Sequence, residues 1–318
     1  MKLSEIRTLM KLAEQQALLL NADNHTKLLQ QLALTPGNFY QELEMDSPYV
    51  DTHRDVSYSN AHVQIHSHVF FEILCCRNTC GAEYLLGAER YKLQKGDIVF
   101  VPPHVSHRPI LPEHMPEPYH RDVLWINEDF WRTTAVSFPE LSLEYFSKPG
   151  LFRTSGTKWS FLCDLFRKGV AETEAAEPGW EILVIANTLT ILTHLRRSID
   201  DPRSAPLKAE KPDLLDQVLA YMEQHLSEKL TLAEVAKYFF VSESTITQTF
   251  RKKMGVSFYR CVTQRRLISS KLLIEQGIPL ETVAERVGFS DYSSFFRAFK
   301  QEYGISPRQF RKLQTEQK

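Results

Sequence analysis

The hydrophobic pattern near the carboxyl end of the chain occurs twice. In two segments, apolar residues recur at the three- and four-residue spacing of a short amphipathic helix. The two sets correspond at a constant offset of 48 positions: Leu232, Val235, Ala236 and Phe239, then Leu280, Val283, Ala284 and Val287. Each segment continues through a tight turn into a more polar helix that ends in a shared pattern, now at an offset of 49: Phe250, Gly255 and Ser257, then Phe299, Gly304 and Ser306. The pattern predicts two copies of a helix-turn-helix unit.

Local signals mark where these helices begin and end. Thr231 and Glu234 have the spacing of a capping box, and Gly277 closes the helix before the second unit. Ser242 and Ser290 stand where the second helix of each unit should be capped. These signals predict recognition helices over Glu243–Lys252 and Asp291–Tyr303.

The outward faces of the two predicted recognition helices are polar. They carry Ser244, Thr247, Gln248 and Arg251 in the first helix, and Tyr292, Ser293, Arg297 and Lys300 in the second. Side chains of these types hydrogen-bond to base edges and phosphates in the major groove. A helix predicted over 257–276 would span about 30 Å, close to the ~34 Å between successive major-groove faces. A helical domain with incidentally polar faces is the alternative, and the duplication favours DNA binding over it.

The second unit has the signature of a known family. Gly288-Phe289-Ser290, Phe295, Arg297, Phe299-Lys300 and Gly304, followed by Ser306-Pro307 and Phe310-Arg311, resemble the signature of AraC/XylS-type transcriptional regulators. The resemblance covers about the last hundred residues and departs at Phe310, where the family usually has Tyr. It implies base-reading roles for Ser244, Thr247 and Gln248 and for Tyr292, Ser293 and Arg297, with Arg297 as the strongest base contact.

Residues 47 to 128 have a different pattern, in which short segments alternate apolar and polar residues between glycine and proline breaks. These segments are Val63–Leu74, Ala82–Leu86, Tyr91–Leu93, Asp97–Val101 and Arg121–Trp125. Alternation of this kind is typical of half-buried antiparallel strands. The sequence therefore predicts a small antiparallel β fold, either a sandwich or a barrel.

Inside this region lies a group of polar residues suited to binding. His66, His68 and Glu72 would share one face of a strand, because positions i, i+2 and i+6 point to the same side. With the downstream pattern Gly96-x5-Pro102-x4-His107 they resemble the two cupin motifs, whose barrel interiors can hold a divalent metal at those four positions. The same pattern also resembles AraC-type sensor domains, most of which bind an organic effector.

Three interpretations of His66, His68, Glu72 and His107 stay open. Buried imidazoles and carboxylates are costly unless something polar meets them. The group can therefore line an effector pocket, hold a divalent metal, or form a self-satisfied polar core or an outward face. Candidate further lining groups are Arg77, Tyr84 and Trp125.

Two helices are predicted between the β region and the linker, over Thr157–Lys168 and Pro178–Arg197. The second has an apolar stripe formed by Ile182, Ile185, Leu189, Leu192 and Leu195. The stripe either packs against its own domain or forms a self-association face. The resemblance favours the second interpretation, because similar regulators often pair through helices at this place.

Charge divides the chain in the same way as the patterns do. The whole chain of 318 residues has a formal net charge of −1, but residues 213–318 contain 16 Lys and Arg against 12 Asp and Glu, a net +4. The basic excess coincides with the predicted DNA-binding part, and it is modest enough that tight binding should need two copies. Three prolines and scattered charges predict a linker over 200–212.

The expected fold is therefore multidomain, α and β: an N-terminal cupin-like β-barrel or jelly roll with flanking helices, and a C-terminal all-α domain. The predicted order is a helical extension (1–46), a cupin-like sensor domain (47–150), a helical dimerisation or packing region (151–199), the linker (200–212) and an AraC-type double helix-turn-helix domain (213–318). Five cysteines without a metal-like CxxC pair, and apolar runs interrupted by polar residues, indicate a reduced, cytoplasmic, non-membrane protein.

Together these features predict a sequence-specific transcription regulator, not an enzyme, whose β domain senses a small-molecule effector. Sugars are common effectors of similar regulators, and a divalent metal is the alternative cofactor. The implied partners are double-stranded promoter DNA, the effector, a second copy of the chain and RNA polymerase. The competing hypothesis is a metal-dependent cupin enzyme fused to a DNA-binding domain.

Overall fold

The computed structural model describes residues 45–58, 65–112, 114–201 and 213–316. The predicted helical extension at 1–46 therefore lies almost wholly outside the described residues. The same holds for the linker at 200–212, of which only Asp200 and Asp201 are described.

The amino-terminal part of the described chain is a β region of two sheets. Its strands are β1 (Val50–Ser57), β2 (Phe71–Cys76), β3 (Glu83–Leu86), β4 (Glu89–Lys92), β5 (Asp97–Val101), β6 (His107–Ile110), β7 (Tyr119–Ile126) and β8 (Gly150–Arg153). One sheet has the order β1-β7-β2-β5-β8 and the other β4-β3-β6, and every pairing is antiparallel.

Two hydrophobic clusters cover the two faces of the five-stranded sheet. β2 and β5 are buried along their whole length, so both faces of these strands must be covered. Alternate side chains of β2 show the division: Leu74 packs into a cluster with Tyr84 of the three-stranded sheet, whereas Ile73 packs into a cluster with helices. The β region is therefore a layered structure of sheet, sheet and helices.

Three helices follow or cover the larger sheet: α1 (Glu128–Ser137), α2 (Leu162–Ala175) and α3 (Trp180–Ile199). Asn127 caps α1, because its side-chain oxygen accepts hydrogen bonds from the backbone N–H groups of Asp129 (2.9 Å) and Phe130 (3.1 Å). Trp131 of α1 is 1% exposed and donates to the carbonyl oxygen of Leu141 at 2.9 Å. Its indole anchors the helix in the core.

The carboxyl-terminal part of the described chain is helical. It consists of α4 (Leu214–Gln224), α5 (Leu232–Tyr238), α6 (Glu243–Met254), α7 (Phe258–Glu275), α8 (Leu280–Arg286), α9 (Tyr292–Tyr303) and α10 (Pro307–Glu316). One core cluster joins α4 through α7, and a second joins α7 through α10. The long helix α7 therefore belongs to both cores and links them. Within the described ranges, none of the helices combines the length and the apolar character that a membrane-spanning segment requires.

The prediction of a single strand over Val63–Leu74 is wrong. β2 begins only at Phe71, and the chain bends at Val69 and Phe70 after an isolated bridge between His66 and His107. The alternation did not reveal this break, because apolar residues occupy both faces of the predicted strand. His66, His68 and Glu72 therefore do not share one strand face.

Other boundaries also differ from the predictions. Strands β1, β6 and β8 were not predicted, and α2 begins at Leu162 instead of Thr157. The predicted limit of the sensor domain at residue 150 coincides with the first residue of β8, a strand that pairs with β5. The helical region is packed on this same sheet.

Helix α3 divides its predicted apolar stripe between two environments. Leu192 and Leu195 are each 1% exposed and pack in the core, whereas Ile182 is 72% exposed and its neighbour Leu183 is 52% exposed. Intramolecular packing therefore explains the carboxyl-terminal half of the stripe. The amino-terminal end of the helix projects apolar side chains into solvent.

Candidate nucleic-acid interface and sensor site

Helices α6 and α9 are positioned by matching caps at an offset of 49. Ser242 caps α6 by accepting a hydrogen bond from the N–H of Thr245 (3.1 Å), and Asp291 caps α9 by accepting one from Ser294 (2.7 Å). The prediction that Ser290 caps α9 is therefore wrong. Asp291 is the better acceptor because its second carboxylate oxygen also accepts a hydrogen bond from the Ser294 hydroxyl at 2.8 Å. The backbone and hydroxyl donors of Ser294 lower the pKa of Asp291.

The exposed and buried positions of the two helices also match. Phe250 of α6 and Phe299 of α9 are at most 1% exposed, and Ile246 and Phe295 are equally buried. Opposite these anchors, three pairs of exposed side chains correspond at the same offset: Ser244 and Ser293, Gln248 and Arg297, and Arg251 and Lys300. The repeated sequence therefore presents two equivalent polar faces to solvent.

Two of the predicted base-reading residues are less available. Thr247 is partly buried, and its hydroxyl donates to the carbonyl oxygen of Glu243 at 2.9 Å. Tyr292 is also partly buried, with its ring 6.1 Å from that of Phe295, and burial raises the pKa of its hydroxyl. Packing restricts both side chains, and the Thr247 hydroxyl is already bonded within its own helix.

A close backbone contact fixes the second helix pair against the first. Gly288, in the turn between α8 and α9, has a φ of +91°, and a Cβ atom placed there would lie 2.2 Å from the carbonyl oxygen of Leu226. Arg266 of α7 donates to that same oxygen at 2.9 Å and to the carbonyl of Glu228 at 2.6 Å. The turn of the second pair therefore packs directly on the loop that precedes α5.

In the β region, the structure brings together three of the four predicted site residues. His68, Glu72 and His107 offer ligand atoms that lie within 4.8 Å of one another, and all three side chains are buried. Nε2 of His107 lies 3.2 Å from Oε2 of Glu72, and Nε2 of His68 lies 3.9 Å from the same oxygen. The bend before β2 and the bridge between residues 66 and 107 create this convergence.

Two of the three candidate lining residues orient the carboxylate. Trp125 Nε1 donates to Oε1 of Glu72 at 2.9 Å, and the Tyr84 hydroxyl approaches Oε2 at 3.5 Å. Arg77 does not reach the site, because it pairs with Asp122 at 3.2 Å on the far side of the sheet. Burial lowers the pKa of the His68 imidazole, which favours its neutral form.

His66 lies beside this cluster. Its ring centroid is 4.2 Å from that of His107. It also lines a small polar pocket between the β region and helices α7 and α9, together with Gln264, Lys271 and Glu302. The fourth predicted residue therefore faces the boundary between the two halves of the chain.

Comparisons with known proteins agree with the geometry of the helical region. Residues 235–313, from the fourth residue of α5 into α10, match a family model described as a helix-turn-helix domain. The probable transcriptional regulator LumQ of Photobacterium leiognathi is 35% identical over 129 residues, which cover 40% of this chain and 49% of LumQ. The arabinose operon regulatory protein of Salmonella typhimurium is 26% identical over 225 residues, 70% of this chain and 77% of that protein.

The chain is therefore similar to AraC-type transcriptional regulators, as the signature of its second helix pair predicts. Its relatives are regulators and not enzymes, so the hypothesis of a cupin enzyme joined to a DNA-binding domain is not supported. Among solved structures, ToxT of Vibrio cholerae is similar at 12% identity with a TM-score of 0.36, over 85% of this chain and 99% of ToxT.

Buried arginines join the two halves of the chain, and none of the sequence patterns predicted them. Arg108 of β6 is 1% exposed and donates to the carbonyl oxygen of Met254, the last residue of α6, at 3.0 Å. Arg265 of α7, also 1% exposed, donates to the carbonyl of Gly87 at 3.0 Å. Burial lowers the pKa of each guanidinium to about 10. The available signal for Arg108 was a charged residue directly before the apolar segment 109–111.

A more exposed ionic network adds to this contact. Arg90 of β4 pairs with Asp213 and Asp216 at the start of α4, and Asp213 also pairs with Lys253 near the end of α6. Burial alone would raise the pKa of Asp213, but Lys253, the N–H of Asp216 and Arg90 lower it to about 2. The carboxylate therefore stays charged and joins the β4 hairpin to the helix that precedes the first helix pair.

Proposed function

We propose that both helix pairs are helix-turn-helix units and that the regulator inserts α6 and α9 into neighbouring turns of promoter DNA. The observation that carries this proposal is the match of exposed polar pairs at offset 49 above matching buried anchors. At 1.5 Å per residue, the 18 residues of α7 give a length of about 27 Å, comparable to the ~34 Å repeat of the major groove.

The proposed contacts divide into two classes. Gln248 and Arg297 have side chains that form paired hydrogen bonds with purine edges, so they should determine sequence preference. Arg251 and Lys300 lie one turn further along each helix, where a cation meets phosphate oxygens. Ser244, Thr247, Tyr292 and Ser293 complete the two faces.

The test begins with genomic fragments that the purified regulator selects, because their genes also indicate the regulated process. Fluorescence anisotropy then compares Arg297→Ala and Lys300→Ala on a selected site and on unrelated DNA. Arg297→Ala should weaken binding by about 1–3 kcal/mol and relax base preference, whereas Lys300→Ala should weaken binding to both DNAs and reduce the salt slope by about 1. Arg132→Ala, on α1, is the matched control, since Arg132 is exposed and pairs only locally with Glu128. Unchanged preference in Arg297→Ala would contradict the proposal.

The β region, in this proposal, is a cupin-like sensor domain covering residues 47–150, and its ligand controls DNA binding. The buried polar group around Glu72 supports a ligand site, and the packing of β6 and the β4 hairpin on the helical region supports coupling. Linkage requires that DNA and ligand change each other's affinity by the same factor. Ligand affinity measured with and without DNA tests this, and equal values would remove the coupling.

We also propose that the regulator acts on DNA as a homodimer. The DNA-binding part has a net charge of only +4, so two copies bound side by side would give the affinity that one lacks. Ile182 and Leu183 on α3 supply exposed apolar surface for that contact. Ile182→Glu should lower the mass measured by light scattering from dimer to monomer, and an unchanged mass would place the contact elsewhere.

A further inference from the structure

Three hydrogen-bond acceptors meet at the buried group formed by His68, Glu72 and His107. Nδ1 of His68 lies 2.7 Å from the carbonyl oxygen of Phe70, and Nδ1 of His107 lies 2.8 Å from that of Val105. A carbonyl oxygen can only accept, so each Nδ1 carries the hydrogen. In the neutral imidazole this leaves a lone pair on each Nε2.

Both lone pairs face the Glu72 carboxylate, which in its ionised form can also only accept hydrogen bonds. Neither Nε2 atom makes a hydrogen bond within the described part of the chain, and both face the Glu72 carboxylate in a buried environment. A proton on Nε2 of His107 could be shared with Oε2 of Glu72, 3.2 Å away. Nε2 of His68, which lies 3.9 Å from the same oxygen, would still have no hydrogen-bond partner. One cation between the three atoms satisfies all of them.

The surrounding hydrogen bonds have the arrangement found around metal ligands. Each imidazole is held by a backbone carbonyl on its opposite nitrogen, and Oε1 of Glu72 is held by the Trp125 indole at 2.9 Å. Oε2, which the Tyr84 hydroxyl approaches at 3.5 Å, is the oxygen that faces the two Nε2 atoms and would bind the cation. Such outer contacts fix the tautomer and the orientation of a ligand. Two imidazole nitrogens and one carboxylate oxygen suit a divalent transition metal, whereas Mg²⁺ and Ca²⁺ prefer oxygen ligands.

We propose that His68, Glu72 and His107 bind a divalent transition-metal ion, and that this ion is the ligand sensed by the regulator. The inference rests on the proposed sensor function of the β region and names the ligand of that site. His66, the fourth residue of the predicted set, is not a ligand. It lies against the ring of His107 and faces the helical region.

The position of His107 connects this site to DNA binding. The next residue along β6 is Arg108, which donates to the last carbonyl of α6, and the preceding residue is Ser106, whose hydroxyl lies 3.5 Å from Arg265 of α7. A metal that fixes His107 therefore fixes the strand segment that contacts both helices. Metal binding should change the affinity for DNA through this segment.

The experiment uses the full-length regulator, purified without a histidine tag and stripped with a chelator. Co²⁺ and Zn²⁺ are titrated by calorimetry, and Co²⁺ also by its visible absorption. Wild type should bind one ion per chain, and His68→Gln and Glu72→Gln should each lose at least 100-fold in affinity. Trp125→Phe should lose about tenfold through the outer contact. His120→Gln is the matched control, since His120 lies on β7 outside the cluster.

Stability gives a second measurement. Metal should raise the thermal midpoint of wild type and His120→Gln but not of the two ligand variants. If those variants fail to fold, X-ray absorption of the Co²⁺-loaded wild type replaces them, with two imidazoles expected in the first shell. Absence of stoichiometric binding to wild type, or a spectrum without imidazole ligands, would overturn the proposal.

The two proposals fail separately. Wild type that binds DNA but no metal would refute the metal site and leave the DNA-binding function standing. Arg297→Ala should lose DNA affinity while it keeps full Co²⁺ binding. DNA affinity measured with and without Zn²⁺ should differ by at least fivefold in wild type, and equal affinities would show that the ion is not the sensed ligand.

Discussion

Replacing Gly288 by alanine should destabilise the second helix pair much more than the same change at Gly255. Both glycines have positive φ angles, +91° and +68°. A Cβ atom at Gly255 meets nothing within 4 Å, but one at Gly288 lies 2.2 Å from the carbonyl oxygen of Leu226 and 2.9 Å from the Arg266 guanidinium. The two substitutions therefore share backbone strain and differ in the clash.

The magnitudes follow from these two contributions. The left-handed conformation costs alanine about 1–2 kcal/mol at either position. At Gly288 the obstacle is a backbone oxygen, which no rotamer change can move, and overpacking of this kind adds about 1–3 kcal/mol. The total at Gly288 is therefore about 2–5 kcal/mol, and the clash also displaces Arg266 from its two carbonyl acceptors.

Hydrogen exchange of the intact protein measures this difference locally, because it reports the opening free energy of each segment. Peptides spanning 279–303 should exchange at least roughly 30-fold faster in Gly288→Ala, since every 1.4 kcal/mol is about tenfold. Peptides spanning 243–258 should report the smaller loss in Gly255→Ala. Equal acceleration in the two variants would refute the reasoning, because it would mean that the contact with Leu226 carries no energy.

Three further predictions concern the core and the contact between the two halves. Trp131→Ala should lower the free energy of unfolding in urea by about 3–5 kcal/mol, because it leaves a cavity where a side chain is 1% exposed and removes the hydrogen bond to Leu141. A loss under about 1 kcal/mol would contradict this core assignment. Arg108→Met should leave the Met254 carbonyl unpaired at a cost of about 1–3 kcal/mol, with faster exchange in peptides 106–110 and 250–258, whereas Arg132→Met should change neither. Asp213 has a pKa lowered to about 2, so its contribution to stability is complete above about pH 5 and is lost as the pH falls toward 2. Asp213→Asn should therefore lower the free energy of unfolding by about 1 kcal/mol at pH 7, a value reduced by solvent screening because the side chain is 35% exposed. Measured against pH, the free energy of unfolding should fall less steeply below about pH 5 in this variant than in wild type.

Helices α6 and α9 were largely predictable because their signals are local. A helix is built from hydrogen bonds four residues apart and from caps within one turn, so residues near Ser242 and Gly255 carry the information for both ends of α6. The long helix predicted over 257–276 runs over Phe258–Glu275, with Ser257 and Gln276 as its caps. The cap of α9 was misassigned by one residue, since Ser290 and Asp291 are both good caps and side-chain geometry chose between them.

The β region was predicted less accurately because strands depend on distant partners. β8 is only four residues long and begins 49 residues after the end of its partner β5. Arg153 of β8 forms an ion pair with Asp97 of β5. Neither segment alone indicates that pairing. The predicted strand over Val63–Leu74 failed for the related reason that both of its faces were apolar, so alternation could not identify the bend before Phe71.

The sequence by itself determined the duplicated helix pairs, their polar faces and the residue types of the proposed ligand site. Only the tertiary structure decided that His68, Glu72 and His107 meet while His66 turns toward the helices, and that Arg108 and Arg265 are buried between the two halves. The physical reason is the range of the interactions. Caps and helical periodicity act within a few residues, whereas sheet pairing and the burial of charged groups depend on segments up to 178 residues apart, as for Arg265 and Gly87.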